Sequence, residues 1–280
     1  MEEKYKEDTV QKRREQVSLK TEIRRIDGPG GKLKLRILRP KKQTGKLPGI
    51  LWIHGGGYMT GMSSMVYGSC GAMLARKYGA VVVSPAYRLA WQAPYPAALE
   101  DCYAALLYMH RNATALGIDR MIVGGESAGG GLAAAVCLCA RDRGEVQIDY
   151  QFPLYPMLDC EDTPSSRDNH GHGWDTRRNH WGWRHYLGPL YGTKRVPDYA
   201  SAARAEDLSG MPPCYTFICD GEPFYDETLT YVRNLQAAGI SASVDVYHGN
   251  IHGFDVMFWT EQAKTARKKL CEHYEAWIDE

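Results

Sequence analysis

Gly125-Glu126-Ser127-Ala128-Gly129 sets a serine between two glycines, and its flanks give that serine a chemical meaning. Met121-Ile122-Val123 before it reads as a buried strand, and Leu132 to Ala140 after it reads as a helix. A strand, a Gly-x-Ser-x-Gly turn and a helix together form the context of a nucleophile elbow. The sharp turn lifts the Ser127 hydroxyl clear of the sheet. The helix after it aims its free N–H groups at any oxyanion forming there. A serine hydroxyl is a weak nucleophile, so the reading requires a base, an acid and an oxyanion site elsewhere in the chain.

The oxyanion site is expected at His54-Gly55-Gly56-Gly57, directly after the apolar run Ile50-Leu51-Trp52-Ile53. Consecutive glycines let backbone N–H groups converge on a small anion. The expected donors are Gly56, Gly57 and Ala128, the residue after the serine. The base is expected late in the chain, because such scaffolds run serine, acid, histidine. His252 comes after the strand-like Val244-Asp245-Val246-Tyr247 and stands beside Gly253, at the sheet edge where ligands bind. His248, at the strand end, is its competitor. His110 and His273 fall in predicted helices as packing or surface residues. The acid is open among four carboxylates after the strand Tyr215-Thr216-Phe217-Ile218-Cys219: Asp220, Glu222, Asp226 and Glu227. Asp226 and Glu227 suit the first turn of the next helix, and Asp220 suits a cap of the turn at Gly221.

Four ordered segments resemble the hormone-sensitive-lipase-like, bacterial-carboxylesterase branch of the α/β-hydrolases. They are His54-Gly55-Gly56-Gly57, the stretch Tyr87-Arg88-Leu89-Ala90 with Tyr95 to Asp101, Gly125 to Gly130, and His252-Gly253-Phe254. The resemblance covers roughly 48–278. It implies an α/β-hydrolase fold: a mostly parallel central sheet with helices on both faces and a small helical cap. The acid motif of that family, Asp-Pro-Leu-x-Asp-Glu, aligns with Glu222-Pro223-Phe224-Tyr225-Asp226-Glu227 and nominates Glu222, a Glu in place of the usual Asp. Glu126 likewise replaces Asp in the elbow, and Trp91-Gln92 replaces Pro-Glu.

The elements that position these residues read as one α/β domain over 1–280. Val17 to Ile26 and Lys32 to Leu38 form a hairpin joined at Gly28-Pro29-Gly30-Gly31. Strands are predicted near 48–53, 80–84, 119–124, 148–154, 214–219 and 242–247. Helices are predicted near 64–78, 97–116, 128–142, 225–238 and 260–278. This alternation predicts a parallel sheet covered on both faces. Two segments read as cap elements: a charged helical arm at 1–16 and an insertion at about 160–208. The insertion carries Trp174, Trp181, Trp183, Tyr186 and Tyr191, expected to shape the acyl or alcohol pocket, with packing of the cap onto the body as the alternative for any one of them. Its His170, His172, His180 and His185 lack regular spacing, so no metal is expected.

Composition narrows the function classes. A net charge of +1 gives no electrostatic footprint for nucleic acid or an anionic membrane. The longest apolar run, Leu132 to Ala140, is far short of the ~20 residues that span a bilayer. Eight scattered cysteines read as free thiols. With a charged N-terminus in which no apolar signal core is visible, they make the cytoplasm the expected location. The expected activity is hydrolysis of short acyl esters, acetyl to butyryl, through a Ser-His-Glu triad and an acyl-enzyme. The substrate is a small-molecule ester and no cofactor is needed. An amidase, formamidase or peptidase on the same scaffold is the alternative, with a non-catalytic ligand receptor ranked after it.

Overall fold

The computed structural model describes residues 17–279. Its eight strands are β1 (Leu19–Gly28), β2 (Gly31–Pro40), β3 (Leu47–Ile53), β4 (Val81–Pro85), β5 (Ile118–Glu126), β6 (Tyr150–Leu154), β7 (Cys214–Cys219) and β8 (Ala242–Tyr247). They form one sheet in the order β1-β2-β4-β3-β5-β6-β7-β8. From β4 across to β8 every neighbouring pair is parallel, while β2 runs antiparallel to both β1 and β4. Every residue of β4, β6 and β7 is buried, which a sheet achieves only when both faces are covered. The edge strand β1 is mostly exposed and carries Lys20, Glu22, Arg24 and Arg25, charges that discourage pairing with another chain. Gly28 pairs with Gly31, leaving the two-residue turn Pro29-Gly30.

The cover comes from α1 (Cys70–Tyr78), α2 (Ala97–Arg111), α3 (Ala113–Leu116), α4 (Ala128–Arg143), α5 (Thr176–Leu187), α6 (Tyr225–Ala237) and α7 (Glu261–Ile278). The helix α4 is buried all round from Ala128 to Ala140, so its run of glycine, alanine and other small residues is a packing requirement. Two predicted helices are divided. The span 64–78 becomes a 3-10 turn, Ser63–Gly68, and then α1. Ser69 between them is extended, and its hydroxyl oxygen accepts the Ala72 N–H as an N-cap. The span 97–116 breaks at Asn112 into α2 and α3. The arm predicted at 1–16 lies outside the described residues.

The insertion contains α5 and three short 3-10 turns, Gly188–Leu190, Asp198–Ala200 and Ala202–Arg204. Asp175 caps α5 by accepting the Arg178 N–H. Asn179, Gly182, Trp183, Tyr186 and Leu187 form its buried stripe, at the i, i+3, i+4, i+7 spacing of an amphipathic helix. Tyr186 stacks on Tyr58 with ring centroids 3.9 Å apart, and Trp183 lies against the same tyrosine. Trp181 is exposed, and Tyr191 lies under Arg184. Trp183 and Tyr186 therefore hold the insertion to the body, Trp181 faces outward, and Tyr191 packs on the insertion's own Arg184.

Candidate active site

Ser127 occupies the single residue between β5 and α4, at φ 56° and ψ −123°. This is a strained backbone for a non-glycine residue, at a cost on the order of 1–3 kcal/mol. Three hydrogen bonds hold it there. The Ser127 N–H donates to the Leu154 carbonyl at 3.0 Å. The Ser127 carbonyl accepts from the N–H groups of Gly131 and Met157, each at 3.0 Å. Gly129 lets α4 press against β3, since a Cβ there would lie 2.2 Å from the Ile53 carbonyl oxygen. Ala128 opens α4, where an N–H has no acceptor within its own helix.

The glycine loop leaves β3 with Gly56 at φ 121° and Gly57 at φ 59°, both in the region that favours glycine. His54 at its base is a structural residue. It is buried, and that burial lowers the imidazole to about 4, so the ring is neutral. Its Nδ1 donates to the Gly55 carbonyl at 2.8 Å, and the ring stacks on Tyr87 at 4.3 Å. The Tyr87 hydroxyl donates to the His54 carbonyl at 2.9 Å. Arg88, the next residue, is pinned by the buried Asp101, which accepts its backbone N–H and Nε at 2.9 Å each.

Two acid–histidine pairs stand at the ends of β7 and β8. Asp220 pairs with His248 at 2.9 Å and accepts the Gly249 N–H at 3.0 Å. That N–H bond and then His248 lower the Asp220 carboxyl, and Asp220 in turn raises the exposed His248. Glu222 is fully buried and turns the other way. Its Oε1 accepts the Cys219 N–H at 2.9 Å, and its Oε2 accepts from His252 Nδ1. A carboxylate can only accept, so Nδ1 carries the proton and Nε2 is left free as an acceptor. The Ser127 hydroxyl donates to that Nε2 at 2.8 Å. Of the sequence candidates, Ser127, His252 and Glu222 are thus brought into one line, and Asp220 and His248 are not.

The other two carboxylates serve the insertion. Asp226 accepts the Ser165 N–H at 2.7 Å. Glu227 accepts the N–H of Leu158 at 2.6 Å and of Asp159 at 3.2 Å. Burial raises the Glu227 carboxyl well above the usual range. The four insertion histidines have separate surroundings: His170 meets Asp168, His180 meets Asp162, His185 meets the Trp181 carbonyl, and His172 contributes backbone. Among the described residues, no group of three or more His, Cys, Asp or Glu side chains is placed to hold a metal ion.

Sequence reasoning missed the support behind His252. Its ring meets Tyr155 edge-on at 5.2 Å and Phe224 at 5.1 Å. The Tyr155 hydroxyl donates to Asp255 Oδ1 at 2.8 Å, and Asp255 Oδ2 lies 3.5 Å from both Arg267 and the Cys70 thiol. Burial raises the Asp255 carboxyl. Glu126, next to Ser127, accepts from Trp52 Nε1 at 2.9 Å. Burial, reinforced by Asp255, pushes Glu126 up to about 8. The one sequence signal for this layer was Asp255 itself, three residues beyond His252. In front of these groups lies an open cavity of about 500 Å³. Ser127, His252, Glu126 and the three glycines line one part of it, and Met65, Tyr155, Trp174, Val256 and Phe258 supply an apolar wall.

Comparison with known proteins agrees with this architecture. The α/β-hydrolase fold family model matches residues 50–256. Esterase LipI of Mycobacterium tuberculosis is 34% identical over 82% of this chain and 73% of its own length. Carboxylic ester hydrolase LipN of the same organism is 34% identical over 83% of this chain and 64% of its own. The solved structure of a bacterial heroin esterase superposes with a TM-score of 0.85 at 34% identity, covering 96% of this chain and 86% of that one.

Proposed function

Because the chain belongs to the α/β-hydrolase fold family and is a carboxylic ester hydrolase, we propose that Ser127, His252 and Glu222 form its catalytic triad. The observation that carries this reading is the continuous run of contacts from buried Glu222 through both ring nitrogens of His252 to Ser127. His252 Nε2 takes the hydroxyl proton as Ser127 Oγ attacks the ester carbonyl. Glu222 holds the ring in the correct tautomer and stabilises the imidazolium. The N–H groups of Gly56, Gly57 and Ala128 receive the oxyanion, and one such donor contributes about 3 kcal/mol to the transition state. His252 then protonates the departing alcohol, and water cleaves the acyl-enzyme by the same route.

We take the substrates to be small esters with short acyl chains, acetyl to butyryl, because the open cavity at Ser127 holds about 500 Å³ and the bulky Trp174 stands in its apolar wall. The described residues act as one catalytic domain, with 160–208 as a cap element. Among them no helix is long and apolar enough to cross a membrane. The eight unpaired cysteines favour the reducing cytoplasm as its place of work. Hydrolysis of 4-nitrophenyl esters from acetate to decanoate, with Ser127→Ala as the control, tests the assignment. Turnover that peaks at short chains and vanishes in the variant is expected. Near-wild-type rates without the Ser127 hydroxyl would sink it.

A further inference from the structure

One side chain of the insertion reaches the reacting groups, and its neighbours are shaped around it. The segment before α5 is tied to the histidine loop on both sides of Ile251, the residue before His252. The His172 carbonyl accepts the His252 N–H at 2.9 Å, and the His172 N–H donates to the Asn250 carbonyl at 2.8 Å. Two residues further on, Trp174 projects its benzo edge against the glycine loop. A Cβ on Gly57 would lie 2.0 Å from its Cη2 and 2.7 Å from its Cζ2. The same edge fills the space left by Gly182, where a Cβ would stand 3.3 Å from Cζ2 and 3.0 Å from the Gly57 carbonyl oxygen. Gly182 lies inside α5, a position where glycine is unfavourable relative to alanine. The indole also stands 6.4 Å from the His252 ring. No described residue accepts from its buried N–H, so shape rather than a hydrogen bond defines its place.

Trp174 therefore touches a glycine of the oxyanion loop, faces the histidine and borders the cavity that holds Ser127. Of the insertion's aromatics only this one lines that cavity. We propose that Trp174 is the specificity-determining residue of the site: its indole blocks the hydrocarbon pocket and sets the longest ester chain that fits beside Ser127. The proposal rests on the esterase reading above and adds the residue that limits the chain. Truncating the indole opens a slot continuous with the nucleophile. Each methylene newly buried there raises kcat/KM about fourfold, the factor equivalent to one buried CH₂.

The test compares kcat/KM for two series, 4-nitrophenyl esters of increasing acyl length and acetates of increasing alcohol length. The enzymes are wild type, Trp174→Ala, Trp174→Phe and Trp181→Ala. In Trp174→Ala, the ratio for a chain two methylenes beyond the wild-type optimum, relative to that optimum, is expected to rise at least tenfold in one series. Trp174→Phe is expected to give a smaller rise in the same series, and Trp181→Ala, an exposed position, none. Unchanged ratios in both series for folded Trp174→Ala overturn the proposal. If that variant does not fold, an unchanged profile in Trp174→Phe overturns it equally. A Ser127→Ala control that retains turnover removes the esterase reading itself, so the two failures are separable.

Discussion

Replacing Glu222 by Gln keeps size and shape but turns one of two acceptor oxygens into a donor, and the buried surroundings decide how the new amide must sit. In the native site Oε1 takes the Cys219 N–H and Oε2 takes the His252 Nδ1 proton. A Gln amide can serve only one of those donors with its oxygen. If the oxygen goes to His252, the NH₂ faces the Cys219 N–H in a fully buried space. That leaves a donor without an acceptor, at about 1–3 kcal/mol. If the oxygen goes to Cys219, the NH₂ faces Nδ1, which accepts it once the imidazole proton moves to Nε2. The second arrangement leaves no buried group unpaired, so it wins. Its consequence falls on Ser127, whose hydroxyl then meets an N–H in place of an acceptor. A wrong tautomer of this kind costs about 10⁴ in kcat, or about 5.4 kcal/mol of transition-state stabilisation.

Glu222→Gln should therefore fold normally and lose kcat by about 10⁴, with KM little changed. Glu222→Asp keeps the charge but is one methylene short, so an intermediate loss of about 10–100-fold is expected. Asp220→Asn breaks only an exposed pair with His248, and exposed pairs contribute little. Its kcat should stay within about threefold of wild type. Steady-state kinetics on 4-nitrophenyl acetate, with circular dichroism to confirm folding, decides the matter. A folded Glu222→Gln enzyme that loses less than tenfold, or an Asp220→Asn enzyme that loses more than it, would falsify the reasoning.

Asp255→Asn removes the carboxylate that Arg267, Tyr155 and Cys70 share. Breaking a buried pair from one side should cost about 3 kcal/mol in urea unfolding, and a loss below about 0.5 kcal/mol would contradict that role. Glu126→Gln tests the raised carboxyl beside Ser127. Its folded value of about 8 lies above the ordinary 4.5, so its contribution to stability is complete below 4.5 and is lost as pH climbs toward 8. Wild-type stability should fall across that window by up to about 1.4 kcal/mol per pH unit, and the variant should fall less steeply; equal slopes would rule the effect out. Gly129→Ala forces a Cβ to 2.2 Å from the Ile53 carbonyl oxygen, which is backbone and cannot step aside. A loss of about 3 kcal/mol or more in thermal unfolding is expected, and a stable, active variant would show that α4 shifts freely.

The parts of this molecule legible in the sequence are those whose signal is local. The buried strands announce themselves as short apolar runs between turn residues, and α4 as a run of small residues after the elbow, because burial on both sides demands those side chains. The choice between near neighbours is not legible in that way. Asp220 and Glu222 lie two residues apart, Asp226 and Glu227 are adjacent, and His248 and His252 lie four apart. Composition cannot rank such groups; sheet register can. Cys219 stands opposite Tyr247 in the parallel β7–β8 pair, so the next residues outward, Asp220 and His248, are set beside each other at the strand ends. Being exposed there, they meet and satisfy one another. Glu222 and His252 lie beyond the turns, where the chain folds back over the sheet edge, and only that return brings the two together and sets His252 against Phe224 and beside Ser127. Which carboxylate meets His252 thus depends on how the chain returns over the β7–β8 edge, a long-range fact.

The aromatics of the insertion show the opposite case, a local signal that was available. Asn179, Gly182, Trp183, Tyr186 and Leu187 repeat at helical spacing, which marks Trp183 and Tyr186 as the face that packs on Tyr58. Trp181 falls off that stripe and Trp174 precedes the Asp175 cap, so neither belongs to the helix core. The cap residue also explains why Trp174 is free to reach the site. The Asp175 cap ends the loop just past Trp174, and Gly173, at φ 87°, turns the chain between the His172–Ile251 bridge and the tryptophan. Position of the cap, pairing of the loop and the two glycines that receive the indole all act on the same side chain.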